Sequence, residues 1–198
     1  MLLWLADIGT LPDAALAPYA EWLGEGERQR LARFLRPLRR RQFIAARALL
    51  RLALARLLGV APQAIVLEER PGNAPLLTAP ALSGAGFSIS HSGPWVACAA
   101  SLQGAVGLDI ECVDASRDVL ALADQALGRP AMAALQALEG DRRIAAFYEM
   151  WCLHEAAIKL GRPGAADHVY THPGLALALR CAEAQAAPRL EIVSLPPP

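Results

Sequence analysis

The chain has 198 residues, enough for one large domain or two small halves with a real core. Apolar residues make up 55% of it, and its 19 basic residues balance 19 acidic ones. That excludes bulk disorder and argues against a generic nucleic-acid or membrane-surface protein. Eighteen of the nineteen basic residues are arginine, so Lys159 stands out as a compact point charge in a chain that otherwise uses guanidinium groups. The four cysteines form no Cys-x-x-Cys pair, and each has an apolar neighbour, as buried thiols do in a reducing compartment. Residues 1–7 lack a basic segment and meet an acid early, so no secretory signal is expected. No apolar run reaches the length of a membrane span, and a cytoplasmic location without membrane contact is expected.

In chain order, residues 2–6 read as a strand and 11–24 as a proline-punctuated segment with some helical character. Residues 25–58 read as helix, broken near Pro37 because a ring without an N–H cannot continue it. Phe43, Ala46, Leu49, Leu50, Ala53, Leu54 and Leu57 recur at three- and four-residue steps, marking an apolar face, and Gly59 is a natural stop. Ten arginines fall between Arg28 and Arg56. They are either a solvated helix face or receivers of phosphate groups, and indiscriminate nucleic-acid binding is disfavoured by the neutral net charge. Residues 64–67 suggest a strand and 70–75 a turn-rich loop. Residues 87–92 suggest a strand that turns at Gly93-Pro94, returns through 95–101, and turns again at Gln103-Gly104 into a third strand of a meander.

That third strand is Val106-Gly-Leu-Asp-Ile-Glu111. Successive side chains of a strand point to opposite faces, so Asp109 and Glu111 project together. Such a pair is either the polar face of a half-buried strand or two ligands for a hard divalent cation. Ser116 is expected to cap the next helical region, which runs to residue 160 with breaks near Gly128 and Gly140. Its last helix, 142–160, carries Phe147, Trp151, Glu155 and Lys159 at four-residue steps. In isolation Glu155 and Lys159 read as an i, i+4 salt bridge. The apolar stretches at 175–179 and 190–193 suggest a closing hairpin, followed by a proline tail.

Together these segments are similar to the 4'-phosphopantetheinyl transferase superfamily, in its Sfp-like branch. Phe87-Ser-Ile-Ser-His-Ser-Gly93, Val106-Gly-Leu-Asp-Ile-Glu111 and Trp151-Cys-Leu-His-Glu-Ala-Ala-Ile-Lys159 resemble three of its blocks in the right order and spacing. The helical region around residues 27–51 looks like its N-terminal part. Two basic positions of the family pattern are changed, to Asn73 and to His154, and Arg70 lies near the first.

The resemblance implies an α+β fold of two similar halves, residues 1–104 and 105–198, related by a pseudo-twofold axis. Each would be an antiparallel sheet packed with a long helix, and the active site would lie in the cleft between them. It implies transfer of the phosphopantetheine arm of coenzyme A to a serine of an apo acyl or peptidyl carrier protein, releasing 3',5'-ADP. Asp109, Glu111 and Glu155 would hold Mg²⁺ or Mn²⁺; Glu155, Lys159 and Asp109 would be catalytic. Arg30, Arg70, Ser90, His91 and Lys159 would hold the coenzyme. No nucleic acid is expected as a partner, and a monomer is expected. The rivals are another metal-dependent phosphoryl enzyme acting on a nucleotide pyrophosphate, and a non-catalytic relative that only binds a carrier protein.

Overall fold

The structure, a computed structural model, describes residues 1–70 and 72–196; Pro71 in the expected turn and Pro197 and Pro198 of the proline tail lie outside them. Its organisation follows from how three apolar strands divide their side chains. In β1 (Leu2–Asp7), Leu3 and Leu5 face one way, while Trp4 and Ala6, with Ile8 just beyond the strand, face the other. In β5 (Trp95–Ser101), Ala97 and Ala99 likewise separate from Val96, Cys98 and Ala100. In β8 (Leu175–Cys181), Leu175, Leu177, Leu179 and Cys181 separate from Ala176 and Ala178. Strands apolar on both faces must be covered on both, and here two sheets pack face to face with a helical layer outside each.

The first sheet has the order β4-β5-β1-β9, with β4 at Gly86–Ser92 and β9 at Leu190–Ile192. β9 joins β1 in parallel and the other pairs are antiparallel. The second sheet has the order β6-β8-β7, all antiparallel, with β6 at Val106–Cys112 and β7 at Ala166–His172. A short hairpin of β2 (Val66–Glu68) and β3 (Leu76–Ala79) stands apart from both. The fold is therefore α+β.

Of the helices α1 (Asp13–Ala20), α2 (Glu25–Ala32) and α3 (Pro37–Leu58), α3 supplies the main cover of the first sheet, through Leu49, Leu50, Ala53 and Leu54. The break before it falls where expected: Pro37 takes the first helical position, where its missing N–H costs nothing. Gly59 ends α3 in the left-handed conformation. The second sheet is covered by α6 (Gly140–Leu160), flanked by α4 (Val119–Ala126) and α5 (Gly128–Gln136).

Three expectations are corrected. β6 does not complete a meander, because β1 already occupies the second edge of β5; Val106, Leu108 and Ile110 instead stack their apolar face on the first sheet. The closing hairpin is β7–β8, and β9 crosses to β1. β7 is hard to read because three of its four inward residues are His168, Tyr170 and His172, with Ala166 alone aliphatic. Asp118, not Ser116, caps α4, accepting from the Ala121 N–H at 3.1 Å, while Ser116 closes a turn on Asp114.

Candidate active site

β6 is the edge strand of its sheet, and its free backbone N–H groups are met by β4. Ser88, Ser90 and Ser92 each present a hydroxyl oxygen, accepting from Leu108 N–H (2.9 Å), Ile110 N–H (3.3 Å) and Cys112 N–H (2.9 Å). The three serines share one face of β4 because they alternate with Phe87, Ile89 and His91. Each hydroxyl still has a proton to donate. Ser90 gives its own to Asp109 Oδ1 at 2.9 Å, and Ser92 to Glu111 Oε2 at 3.0 Å. The serine ladder thus closes a sheet edge and orients both strand carboxylates.

Asp109 and Glu111 do share a face, the one turned toward α6. Lys159 reaches across from that helix and gives Nζ to Asp109 Oδ1 (2.7 Å), Ser90 Oγ (2.9 Å) and the Leu108 carbonyl (3.0 Å). All three ammonium donors are used, and so is the full capacity of the Ser90 hydroxyl. The simple Glu155–Lys159 helix pair does not form; among the described residues Lys159 pairs with Asp109.

The carboxylates are not fully answered. The Asp109 side chain is 6% exposed, and among the described residues its Oδ2 has no hydrogen-bond partner, with the weakly donating Cys152 thiol close by. Burial raises the Glu111 pKa, with the charge of Asp109 adding to the effect against the Ser92 hydrogen bond. Burial also pushes the Cys152 thiol up, and the two acids add to that. Among the described residues no three His, Cys, Asp or Glu side chains are arranged to hold a metal ion, so Glu155 is not gathered with the strand pair into a ready-made cage. Mg²⁺ asks for less than a cage: it takes one or two carboxylates and completes its shell with water and substrate phosphate. An orphaned carboxylate oxygen beside a second acid with a raised pKa fits such a hard cation.

Beside this junction opens a cleft of about 520 Å³, lined by α2, α3, β4 and residues 72–75 and by Asp109, Ile158 and Lys159. Ser90, His91 and Arg30 lie on its wall as well. Arg30 gives Nη1 to Glu69 at 2.6 Å. His91 is held through Nε2 by Arg39; burial, with Arg39 and Lys159 close by, lowers its pKa to about 4, so the ring is neutral. Glu111 and Glu155 lie outside the lining. Arg70 also lies outside it, turned back onto the Ala74 carbonyl at 3.0 Å.

Sequence reasoning missed Ser88 and Arg39, and placed Ser92 at a strand end as a donor to ligand without its partners Glu111 and Cys112. The two serines carried a signal in the Ser-x-Ser-x-Ser alternation, whereas Arg39 was hidden among nine similar neighbours. The solvated-face reading of those arginines does not hold for Arg47 and Arg51, each 2% exposed. Both pair with Glu27, Arg51 through Nη2 at 2.5 Å and Arg47 through Nε at 3.1 Å.

A cleft lined by arginines and ending in a lysine–aspartate pair, with a second acid close behind, is the kind of site that handles phosphate esters. Comparison with known proteins narrows the class. Residues 13–103 match the family model of the 4'-phosphopantetheinyl transferase N-terminal domain, and residues 105–190 match that of the 4'-phosphopantetheinyl transferase superfamily. A putative 4'-phosphopantetheinyl transferase of Synechocystis sp. is 30% identical over 74% of this chain and 60% of its own length. The 4'-phosphopantetheinyl transferase HetI of Nostoc sp. is 30% identical over 78% of this chain and 66% of its own. A 4'-phosphopantetheinyl transferase of Bacillus subtilis is 31% identical over 59% of this chain and 50% of its own. The chain thus spans between half and two thirds of the length of these relatives. It belongs to the 4'-phosphopantetheinyl transferase superfamily. Among the described residues, no helix is long and apolar enough to cross a membrane.

Proposed function

We propose that this chain transfers the 4'-phosphopantetheine arm of coenzyme A to a serine hydroxyl of an apo acyl or peptidyl carrier protein, releasing 3',5'-ADP. The observation that carries the reading is the placement of Lys159, whose ammonium is held on Asp109 and Ser90 at the wall of a cleft shared by both halves. The two halves repeat one connectivity, a strand, a long helix and a hairpin whose second strand is central: β5 between β4 and β1, β8 between β7 and β6. That repetition supports a pseudo-twofold relation and a division near residue 104. The proposed setting is cytoplasmic, and the proposed state is a monomer.

Each residue has a task that its chemistry allows. Asp109 and Glu111 would hold Mg²⁺, or Mn²⁺ in its place, with Glu155 as a third ligand from α6. When bound, that ion neutralises pyrophosphate oxygens and the departing nucleotide. Lys159 adds a fixed positive charge beside Asp109 and exchanges one protein acceptor for a phosphate oxygen when substrate arrives. Ser90 keeps the ammonium and the Asp109 carboxylate in register. Glu155, one helical turn before Lys159 and partly buried, is the candidate to accept the proton of the carrier serine. His91, neutral, and Arg30 lie where the coenzyme's phosphates would run. Arg70 reaches them only if it leaves the Ala74 carbonyl.

The test is incubation with coenzyme A, Mg²⁺ and a panel of apo carrier proteins, read by mass spectrometry of the carrier. Addition of one phosphopantetheine to a carrier is the expected result. Failure of every carrier to gain mass overturns the reading. Release of phosphopantetheine from coenzyme A with no carrier present would instead identify a phosphodiesterase.

A further inference from the structure

The cleft wall carries three guanidinium groups, and their charges are unequally committed. Arg47 pairs with Glu27 and with Glu69, and Arg30 pairs with the other oxygen of Glu69. Both also lie over the Phe43 ring, with guanidinium carbons 4.9 Å and 5.8 Å from its centroid. A carboxylate in ion-pair contact cancels much of the field that an approaching anion would feel. Arg39 has no carboxylate partner among the described residues. Its Nη1 reaches His91 Nε2 and, at 3.5 Å, Gln42 Oε1, both uncharged acceptors. Its guanidinium carbon sits 5.0 Å from the Phe34 ring centroid, a contact that steadies the group without answering its charge.

An arginine only donates, so His91 must accept through Nε2 and keep its proton on Nδ1. Arg39 Nε and Nη2 make no hydrogen bond among the described residues, which leaves one side of the fork for a bidentate acceptor. The Arg39 pKa is lowered by burial and then by Arg30 and Arg47, as a cation in a positive field must be. This is the group in the cleft with most to gain from an anion.

We propose that Arg39 anchors a phosphate group of the bound nucleotide, with His91 holding its guanidinium in place and Arg30 secondary because Glu69 already answers its charge. The identity of the nucleotide rests on the transferase reading; the preference for a phosphate rests on the charge distribution alone. Glu69 then sets the balance along the wall, committing two arginines to structure and leaving the third for ligand.

The experiment is calorimetric titration of the full chain with 3',5'-ADP, inorganic pyrophosphate and adenosine, comparing wild type, Arg39→Gln and Arg30→Gln, each checked by its melting curve. A charge-assisted bidentate contact predicts that Arg39→Gln weakens 3',5'-ADP at least about tenfold, while Arg30→Gln costs less than about threefold. Adenosine, which has no phosphate, should be unaffected. A larger loss in Arg30→Gln, or an equal loss for adenosine and 3',5'-ADP in Arg39→Gln, overturns the proposal. Arg39-dependent binding of pyrophosphate without binding of 3',5'-ADP would sustain the anchor and defeat the transferase reading. Binding of neither by the wild type defeats both. Should Arg39→Gln fail to fold, Arg39→Lys keeps the charge but loses the fork, and must lose more affinity than Arg30→Lys; the reverse order overturns the proposal.

Discussion

A Cβ on Gly107 would stand 2.0 Å from the carbonyl oxygen of Ala156 and 2.7 Å from the backbone nitrogen of Leu160. Bare glycine backbone therefore lets α6 settle directly on β6. The contact lies two residues before Asp109 on the strand, and on the helix it spans Ala156 to Leu160, one residue past Glu155 and Lys159 respectively. It decides how closely the lysine approaches the acid, and the 2.7 Å pair is its consequence.

Gly107→Ala should be costly because the obstructing atoms are backbone and cannot rotate away. Overpacking of this kind costs about 1–3 kcal/mol. Chemical denaturation should show a lower midpoint with an unchanged slope. Carrier modification should fall further than the loss of folded protein accounts for, since α6 must move and carry Lys159 with it. Full activity and unchanged stability would mean that the helix does not pack here.

Removing either partner of the Lys159–Asp109 pair should separate chemistry from folding. Asp109→Ala is expected to abolish carrier modification while the chain remains folded by circular dichroism. Lys159→Ala should lower turnover about 10²–10³-fold, the usual loss for one preorganised charge at a reacting centre, with a smaller change in KM for coenzyme A. Equal turnover in variant and wild type would remove Lys159 from the chemistry.

Glu27 is a stability prediction. Its side chain has no exposure and joins Arg47 and Arg51 to each other, while also accepting from the Gly24 N–H at 2.8 Å. Glu27→Gln leaves the buried Arg51 guanidinium without a carboxylate and Arg47 with Glu69 alone, which costs about 3–5 kcal/mol. Urea denaturation should read this loss, and exposed Glu25→Gln serves as the control. A cost near zero for Glu27→Gln would show that water or rearrangement answers the two arginines.

The pH dependence of stability should carry a contribution from His91. Its pKa falls from 6.5 to about 4 in the folded chain, so between those values the unfolded state binds more protons. Stability then rises with pH across this window: the contribution is lost as pH falls from 6.5 toward 4 and is level above 6.5. Glu111, whose pKa is raised, acts in the opposite sense, so the readout is the difference between wild type and His91→Gln. The variant should show a shallower loss of stability on acidification; parallel curves would mean that His91 titrates normally.

Much of this site was legible from local pattern. The alternation in Val106–Cys112 put Asp109 and Glu111 on one face whatever the sheet turned out to be, because side-chain period in a strand is a local property. Helical spacing placed Glu155 and Lys159 together, and Pro37 and Gly59 bounded the long helix, for the same reason. The chemistry-bearing segments could thus be found, and their family resemblance marked, before any pairing was known.

What no local pattern carried was the partnership between segments. That Lys159 would leave Glu155 for Asp109, that Ser90 and Ser92 would cap the edge of β6, and that β9 would cross to β1 all depend on which surfaces meet. So does the division of labour among the arginines: Arg47 and Arg51 became buried structure because Glu27, and for Arg47 Glu69 as well, lies opposite them, and Arg39 kept its charge because no acid among the described residues does. Sequence determined which groups each element presents, since backbone geometry repeats every two or 3.6 residues. Tertiary structure alone decided which charges cancel, because that depends on through-space distance, and distance in space is unrelated to separation along the chain.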